Sequence, residues 1–251
     1  MQQAVVLGGS RGLGAHISTR LAQSGWKVTA TGRSVSADNL LTGAIDYFQA
    51  DLNDDDALSS LDELLSERRP ELIVHNAVSY GSRDGSQPDA RELVELFRVN
   101  AITPYILLRE YLSAASRQGS PCSCITISSD SIYNAKQSTG PYAASKAAMK
   151  VLATALADSC RGSNASVSTL LLGPLADERK IQEFQRIAEA RGMEAQAVAR
   201  TYLHRSNTSL VIDSLIDFES CYRSIEYLAN LGPIANGMVC KLDGGSSGSL
   251  I

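Results

Sequence analysis

Short apolar runs alternate with longer stretches of helical spacing from one end of the chain to the other. The first run, Ala4 to Leu7, reads as a buried strand and leads through Gly8-Gly9-Ser10-Arg11-Gly12-Leu13-Gly14 into a helical pattern reaching Ser24. Lys27 to Thr31 and Ile45 to Gln49 repeat the strand pattern, and an amphipathic helix from the acidic run Asp54-Asp55-Asp56 to Arg68 follows, stopped by Pro70. Leu72 to Val74 is a fourth strand, running into His75-Asn76-Ala77-Val78 and a loop, Ser79 to Pro88, dense in Gly, Ser and Asp. Asp89 to Arg117 is helical in its apolar spacing, with Asn100 just before a break at Pro104. Strands Ser123 to Ile127 and Val167 to Leu172 flank a helix-forming run, Ala143 to Leu156. Phe218 to Leu231 is a further helix, Val239 to Leu242 a last strand, and Asp243 to Ser249 a flexible Gly/Ser end. Strands alternating with helices at this spacing predict one doubly wound α/β domain over residues 1–251. Its sheet is mainly parallel, of about seven strands, with helices on both faces.

The glycine-rich turn sits between the first strand and the first helix. There, backbone amides and the positive end of a helix dipole can approach a pyrophosphate, with glycines because side chains would block contact. The end of the second strand is where a dinucleotide fold meets the adenosine ribose. An acidic residue there favours NAD, and an arginine accommodates a 2′-phosphate. This chain has Gly32-Arg33-Ser34, with Arg11 in the glycine turn as a second cation, so NADP is expected over NAD. Read as a solvated loop charge, Arg33 leaves the choice open.

Composition narrows the partners. With 251 residues, 44% hydrophobic and 20% charged, the chain has the balance of a globular domain, and no apolar run approaches the length of a membrane span. Met1 leads within three residues into the first strand, leaving no room for a signal peptide, so a cytoplasmic protein is expected. A formal charge of -4 and no basic cluster beyond Arg68-Arg69 argue against nucleic acid and anionic membranes. Small molecules or further copies of the chain are the expected partners. Five cysteines without a C-x-x-C pair and three scattered histidines, His16, His75 and His204, give no metal-ligand pattern.

The chemistry concentrates between Ser129 and Lys146. Tyr142 and Lys146 stand four residues apart on a helix-forming run, which puts both side chains on one face. A free phenol, with a pKa of about 10, is a poor proton donor at neutral pH; an adjacent ammonium favours the phenolate and is expected to lower it toward the working range. Ser129, after the fifth strand, is placed to hold a carbonyl oxygen while Tyr142 passes the proton. None of the other tyrosines among the nine has a lysine four residues on. Beyond the sixth strand, Asp177 to Leu203 is charged and helix-prone, the size of a lid over a pocket and equally that of a surface helix pair.

Together these residues resemble the short-chain dehydrogenase/reductase family across essentially the whole chain, with its Rossmann-type fold. The family's T-G-x-x-x-G-x-G motif resembles Leu7 to Gly14, with Gly8, Gly12 and Gly14 in place and Leu7 for threonine. Ser10, Arg11 and Leu13 fill the loop between them. Its adenine-side aspartate resembles Asp51, followed by Leu52, and its N-N-A-G signature is matched at Asn76 and Ala77, with His75 and Val78 at the outer positions. Its Asn, Ser, Tyr and Lys tetrad is matched by Asn100, Ser129, Tyr142 and Lys146, with the thirteen-residue Ser-to-Tyr spacing common in its reductases.

The resemblance implies that Tyr142 is the general acid and that Ser129 orients the carbonyl. Lys146 would bind the nicotinamide ribose and lower the tyrosine pKa, and Asn100 would hold a water linking the lysine to solvent. It also implies a seventh strand, and homodimers or homotetramers, often packed through the helices that carry Asn100 and Tyr142. Gly173-Pro174, on the nicotinamide side, reverses the family's Pro-Gly, and Leu175, Ala176 and Asp177 stand where a threonine often contacts the amide. The carboxyl-terminal part resembles that of reductases acting on 3-oxoacyl and similar carbonyls. The expected activity is NADPH-dependent reduction of a ketone or aldehyde to an alcohol, with NADPH preferred over NADH. The alternatives are a non-catalytic NADP-binding sensor or scaffold, and a dehydratase or epimerase of the same fold.

Overall fold

In the computed structural model, residues 1–34, 45–81 and 88–248 are described. Strand β1 (Gln3–Leu7) runs through the turn into α1 (Gly12–Gln23), then β2 (Lys27–Gly32), β3 (Ile45–Gln49), α2 (Asp55–Arg68) and β4 (Leu72–His75). Helices α3 (Ala90–Phe97) and α4 (Thr103–Gln118) lead to β5 (Cys122–Ser129), α5 (Gly140–Ser159) and β6 (Ala165–Leu172). A helix pair, α6 (Glu178–Arg191) and α7 (Ala195–Ser206), precedes α8 (Phe218–Leu231) and β7 (Val239–Leu242). Among the described residues the strands form one parallel seven-stranded sheet in the order β3-β2-β1-β4-β5-β6-β7.

Alternation along each strand divides the core. Val5 and Leu7 turn to one face, where leucines of α2 and α4 and the small side chains of α5 cover them, while Ala4 and Val6 turn to the other, beneath α1 and α8. Each fully buried leucine there contributes roughly 1.5–3 kcal/mol. Because β1 lies between β2 and β4, chain order reverses at that point, and a crevice opens at the strands' carboxyl ends.

Local chemistry sets the element ends. Asp54 caps α2 by accepting from the Asp56 amide at 3.2 Å, so the acidic run serves the helix start. Asp89 and Glu92 form a reciprocal capping box on α3. The break expected at Pro104 lies just upstream of it, as a π-helical turn over Arg98–Ile102. Pro104 has no N–H to offer the Asn100 carbonyl four residues back, and the widened turn absorbs the loss.

One expectation needs amending. The segment after β7 is not a flexible end. Asp243, Ser246 and Ser247 are buried; the Asp243 carboxylate accepts from the Gly245 and Ser247 amides, each at 3.1 Å, and Ser246 is bonded by the side chains of Asn134 and Asn207. Glycine and serine there build a tight turn, which uses the same residues as a linker. Ser249 lies outside the described residues, as do residues 82–87 of the loop after β4. The insertion after β6 is a helix pair with its own small apolar centre of Phe184, Ala188, Val198 and Ala199. No helix among the described residues is long and apolar enough to cross a membrane.

Candidate active site

Ser129, Tyr142 and Lys146 converge at the carboxyl edge of the sheet. Ser129 is the last residue of β5, in extended conformation, and its hydroxyl accepts from the Ser131 amide at 3.2 Å and faces the Asp130 carboxylate at 3.3 Å. Tyr142 stands in the first turn of α5, and Lys146 one turn on, buried at 3% exposure, with its Nζ donating to the Ile127 carbonyl at 3.0 Å. The Ser129 hydroxyl lies close enough to the Tyr142 phenol to act on its protonation. Over that phenol lies the ring of Tyr80, stacked at 5.1 Å between centroids and 29° between planes.

The electrostatics differ from the expectation in one respect. Burial pushes the Tyr142 phenol up from its ordinary value; the Tyr80 phenol and the Asp130 carboxylate add to this, and only the Ser129 hydrogen bond opposes it. Lys146 does not lower the phenol in the cofactor-free chain. Its ammonium is turned to the Ile127 carbonyl, and burial alone brings its pKa down to about 8. Asp130 is raised as well, chiefly by burial, with its second oxygen accepting from the Ser246 hydroxyl.

Asn100 is fully buried in the π-helical turn. Its Oδ1 accepts from the Ser79 amide at 2.7 Å, while its Nδ2 donates to the Ser79 carbonyl at 2.7 Å and to the Ser145 hydroxyl at 2.9 Å. The amide therefore clamps the loop after β4 to α5, with both of its N–H donors spent.

The residues expected to hold a dinucleotide lie along the same edge. Asn76 Nδ2 donates to the Gly8 carbonyl at 2.9 Å, tying the end of β4 to the start of the glycine turn; Gly8 N in turn donates to Thr31 Oγ1 at 3.2 Å. A Cβ on Gly14 would stand 2.0 Å from the Gly8 carbonyl oxygen, so helix and turn meet with no room for a side chain. Ser10 lies within the turn and Leu13 is buried in the first turn of α1, and Arg11, exposed, is the extended residue before α1 with no side-chain cap on the first amides. Those amides, the close turn and the nearby cation fit a pyrophosphate.

Arg33 and Ser34 are exposed past β2, their carbonyls accepting from Gln49 and Tyr47, and the Arg33 guanidinium has no ion-pair partner among the described residues. Asp51 folds back onto the Asn53 amide at 3.0 Å. Leu52 is buried in the core and its carbonyl accepts from the Thr103 hydroxyl at 2.8 Å. Ala77 follows Asn76 beside the turn. Gly173 donates to Leu242 and Pro174 accepts from Ile216, which commits this stretch to packing against the segments flanking β7 and α8. Asp177, where a threonine is usual, caps α6 instead through the Lys180 amide at 2.9 Å.

Three residues near the site had no functional signal in spacing. Tyr80 reaches Tyr142 from a distant loop, and Asp130 is adjacent in sequence to Ser129, where only contact reveals its bond to Ser246. His75 is fully buried at the end of β4, and burial, aided by the Lys146 charge, lowers its pKa from 6.5 to about 3. The unfolded ring binds a proton near 6.5 and the folded one only near 3, so over that window the unfolded state binds more protons. Stability of the cofactor-free protein is therefore expected to fall as pH drops from 6.5 toward 3. Urea unfolding across the window checks this, and His75→Leu should flatten that limb.

Comparisons with known proteins agree with this geometry. The sequence profile described as short chain dehydrogenase matches residues 2–186. An uncharacterized oxidoreductase of Bacillus subtilis, YvrD, is 22% identical over 98% of this chain and 96% of its own length. The NADPH-dependent aldehyde reductase 2, chloroplastic, of Arabidopsis thaliana is 30% identical over 70% of this chain and 72% of its own. Among solved structures, 4-hydroxyisoleucine dehydrogenase complexed with NADH aligns with a TM-score of 0.82 at 19% identity, over 98% of this chain and 99% of that one. With its glycine turn at the sheet's switch point and a serine, tyrosine and lysine gathered beside it, the chain belongs to the short-chain dehydrogenase family of oxidoreductases.

Proposed function

We propose that the protein reduces the carbonyl of a small ketone or aldehyde with NADPH, Tyr142 supplying the proton. The observation that carries this reading is the meeting of Ser129, Tyr142 and a buried Lys146 at the crevice edge, next to a glycine turn shaped for a pyrophosphate. The nicotinamide, when bound, supplies the hydride. Ser129 donates to the carbonyl oxygen, polarising it and holding it toward Tyr142. Tyr142 donates its proton to the oxygen as negative charge develops there, and Lys146, released from the Ile127 carbonyl, stabilises the phenolate that remains. Arg33 and Arg11 would hold the 2′-phosphate and the pyrophosphate, and Asp51 would sit on the adenine side.

Around this centre, the α6–α7 pair serves as a lid, because its small apolar centre and the Phe184–Tyr202 contact at 5.2 Å bind the two helices into one unit. Exposed Val94, Ile102 and Val151, on and between α3 and α5, suit a homodimer or homotetramer contact. A cytoplasmic location goes with this reading.

A panel of aldehydes, ketones and 3-oxoacyl thioesters, followed by loss of NADPH absorbance, tests the proposal; no turnover of any of them, with NADPH fluorescence showing binding, would leave a cofactor-binding protein instead. Cofactor choice has its own test. Arg33→Asp removes a charge-assisted contact to a phosphate and adds repulsion, so the preference for NADPH over NADH is expected to fall about 10–100-fold. An unchanged ratio would place the phosphate elsewhere.

A further inference from the structure

His75 is an imidazole where the fold has little use for one. It ends β4 beside Leu7 and Thr126 on the sheet face covered by α4 and α5, and no part of it is exposed. Neither ring nitrogen makes a well-formed hydrogen bond among the described residues, although the Asn100 main chain lies close enough to the ring to oppose the fall in its pKa. Leaving one buried polar atom unpaired costs about 1–3 kcal/mol, so as packing alone a leucine would serve better. Two groups of the candidate site act on the ring: the Lys146 ammonium, and the main chain of Asn100. The Asn100 carbonyl is also the one that Pro104 leaves without its α-helical donor, and both N–H donors of the Asn100 amide are already spent. Lys146 is itself buried, with the Ile127 carbonyl as partner, and needs a route by which protons reach it.

We propose that His75 is a positioning residue for proton supply, holding, together with the Asn100 carbonyl, the water through which Lys146 is recharged. This rests on the reductase reading. A neutral imidazole carries its donor and its acceptor on opposite sides of the ring, so the nitrogen that faces the Asn100 carbonyl holds such a water in one orientation while the other takes no part. After Tyr142 has given its proton to the new alcohol, the phenolate recovers one from the Lys146 ammonium. The amine left behind takes a proton from the held water, and that water is made whole from solvent through the chain of waters behind it. The ring gains and loses nothing, in keeping with an imidazole held neutral.

The experiment compares wild type, His75→Leu and His75→Asn. In His75→Leu, kcat is expected to fall about tenfold or more, at the lower end of what positioned proton transfer contributes, with the carbonyl KM unchanged and a larger solvent deuterium effect on kcat. NADPH binding by fluorescence should be unchanged, and the cofactor-free protein should melt no lower than wild type, because a buried ring with one nitrogen still unpaired gives way to an apolar side chain. His75→Asn, whose amide again offers a donor and an acceptor, should recover much of kcat. An active wild type with a His75→Leu variant of equal kcat and equal isotope effect would overturn this inference and leave the reductase reading standing. Two variants equally slow and equally destabilised would also overturn it, marking the ring as structural. A wild type that turns over no carbonyl overturns both.

Discussion

Tyr142→Phe is expected to lower kcat/KM for carbonyl reduction by about 10²–10⁴-fold, the span a positioned general acid contributes, while NADPH binds with wild-type affinity. The phenol in the free chain sits above its ordinary pKa, held there by burial beneath Tyr80. That keeps the proton on the oxygen, so the donor is loaded at neutral pH. A raised phenol is a weaker acid, yet the acceptor is an oxygen becoming an alkoxide, a far stronger base than any phenolate, and the transfer remains downhill. What it lacks is a partner for the charge left behind, and Lys146 stands one helical turn away. Retained activity in Tyr142→Phe would point to another donor. Asp130 is the first to examine, since burial raises its carboxyl and it already contacts Ser129. Loss of turnover in Asp130→Asn but not in Tyr142→Phe would move the acid there.

The parts legible in the sequence were those carried by local spacing. The order β1, glycine turn, α1 follows from contiguous residues, and Tyr142 with Lys146 follows from a four-residue step on a helix. The direction of the Tyr142 shift was not legible, because it depends on Tyr80 arriving from the loop after β4 and on which carbonyl Lys146 reaches. Asn100 lies between these cases. Pro104 announces a break nearby, but only folding brings Ser79 and Ser145 to the amide and uses it up. At the carboxyl end, composition misled: glycines and serines suit a linker and a tight buried turn equally, and Asp243 decides for the turn by collecting the amides that follow it. The reversed Gly173-Pro174 makes sense only against its neighbours, where Gly173 N–H meets Leu242 and the Pro174 carbonyl meets Ile216.

Gly14→Ala is expected to destabilise the protein by about 3 kcal/mol, the upper end of ordinary overpacking, lowering Tm by about 6–12 °C for a chain of this size. The added Cβ would stand 2.0 Å from the Gly8 carbonyl oxygen and 2.6 Å from Asn76 Nδ2. Neither can yield cheaply. Gly8 is held at its amide by Thr31 and at its carbonyl by Asn76, and Asn76 follows a central strand. Relief therefore requires α1 to retreat from β1, which opens the turn and is expected to weaken NADPH binding along with stability. Gly12→Ala is the matched control. Its Cβ would meet nothing within 4 Å, and its penalty is only that of a left-handed φ of 53°, about 1–2 kcal/mol, without displacement of the helix. Thermal melts of the two variants, with and without NADPH, separate the effects. A Gly14→Ala protein melting with wild type would show that helix and turn are not pressed together as described, and the pyrophosphate cradle would lose its main support.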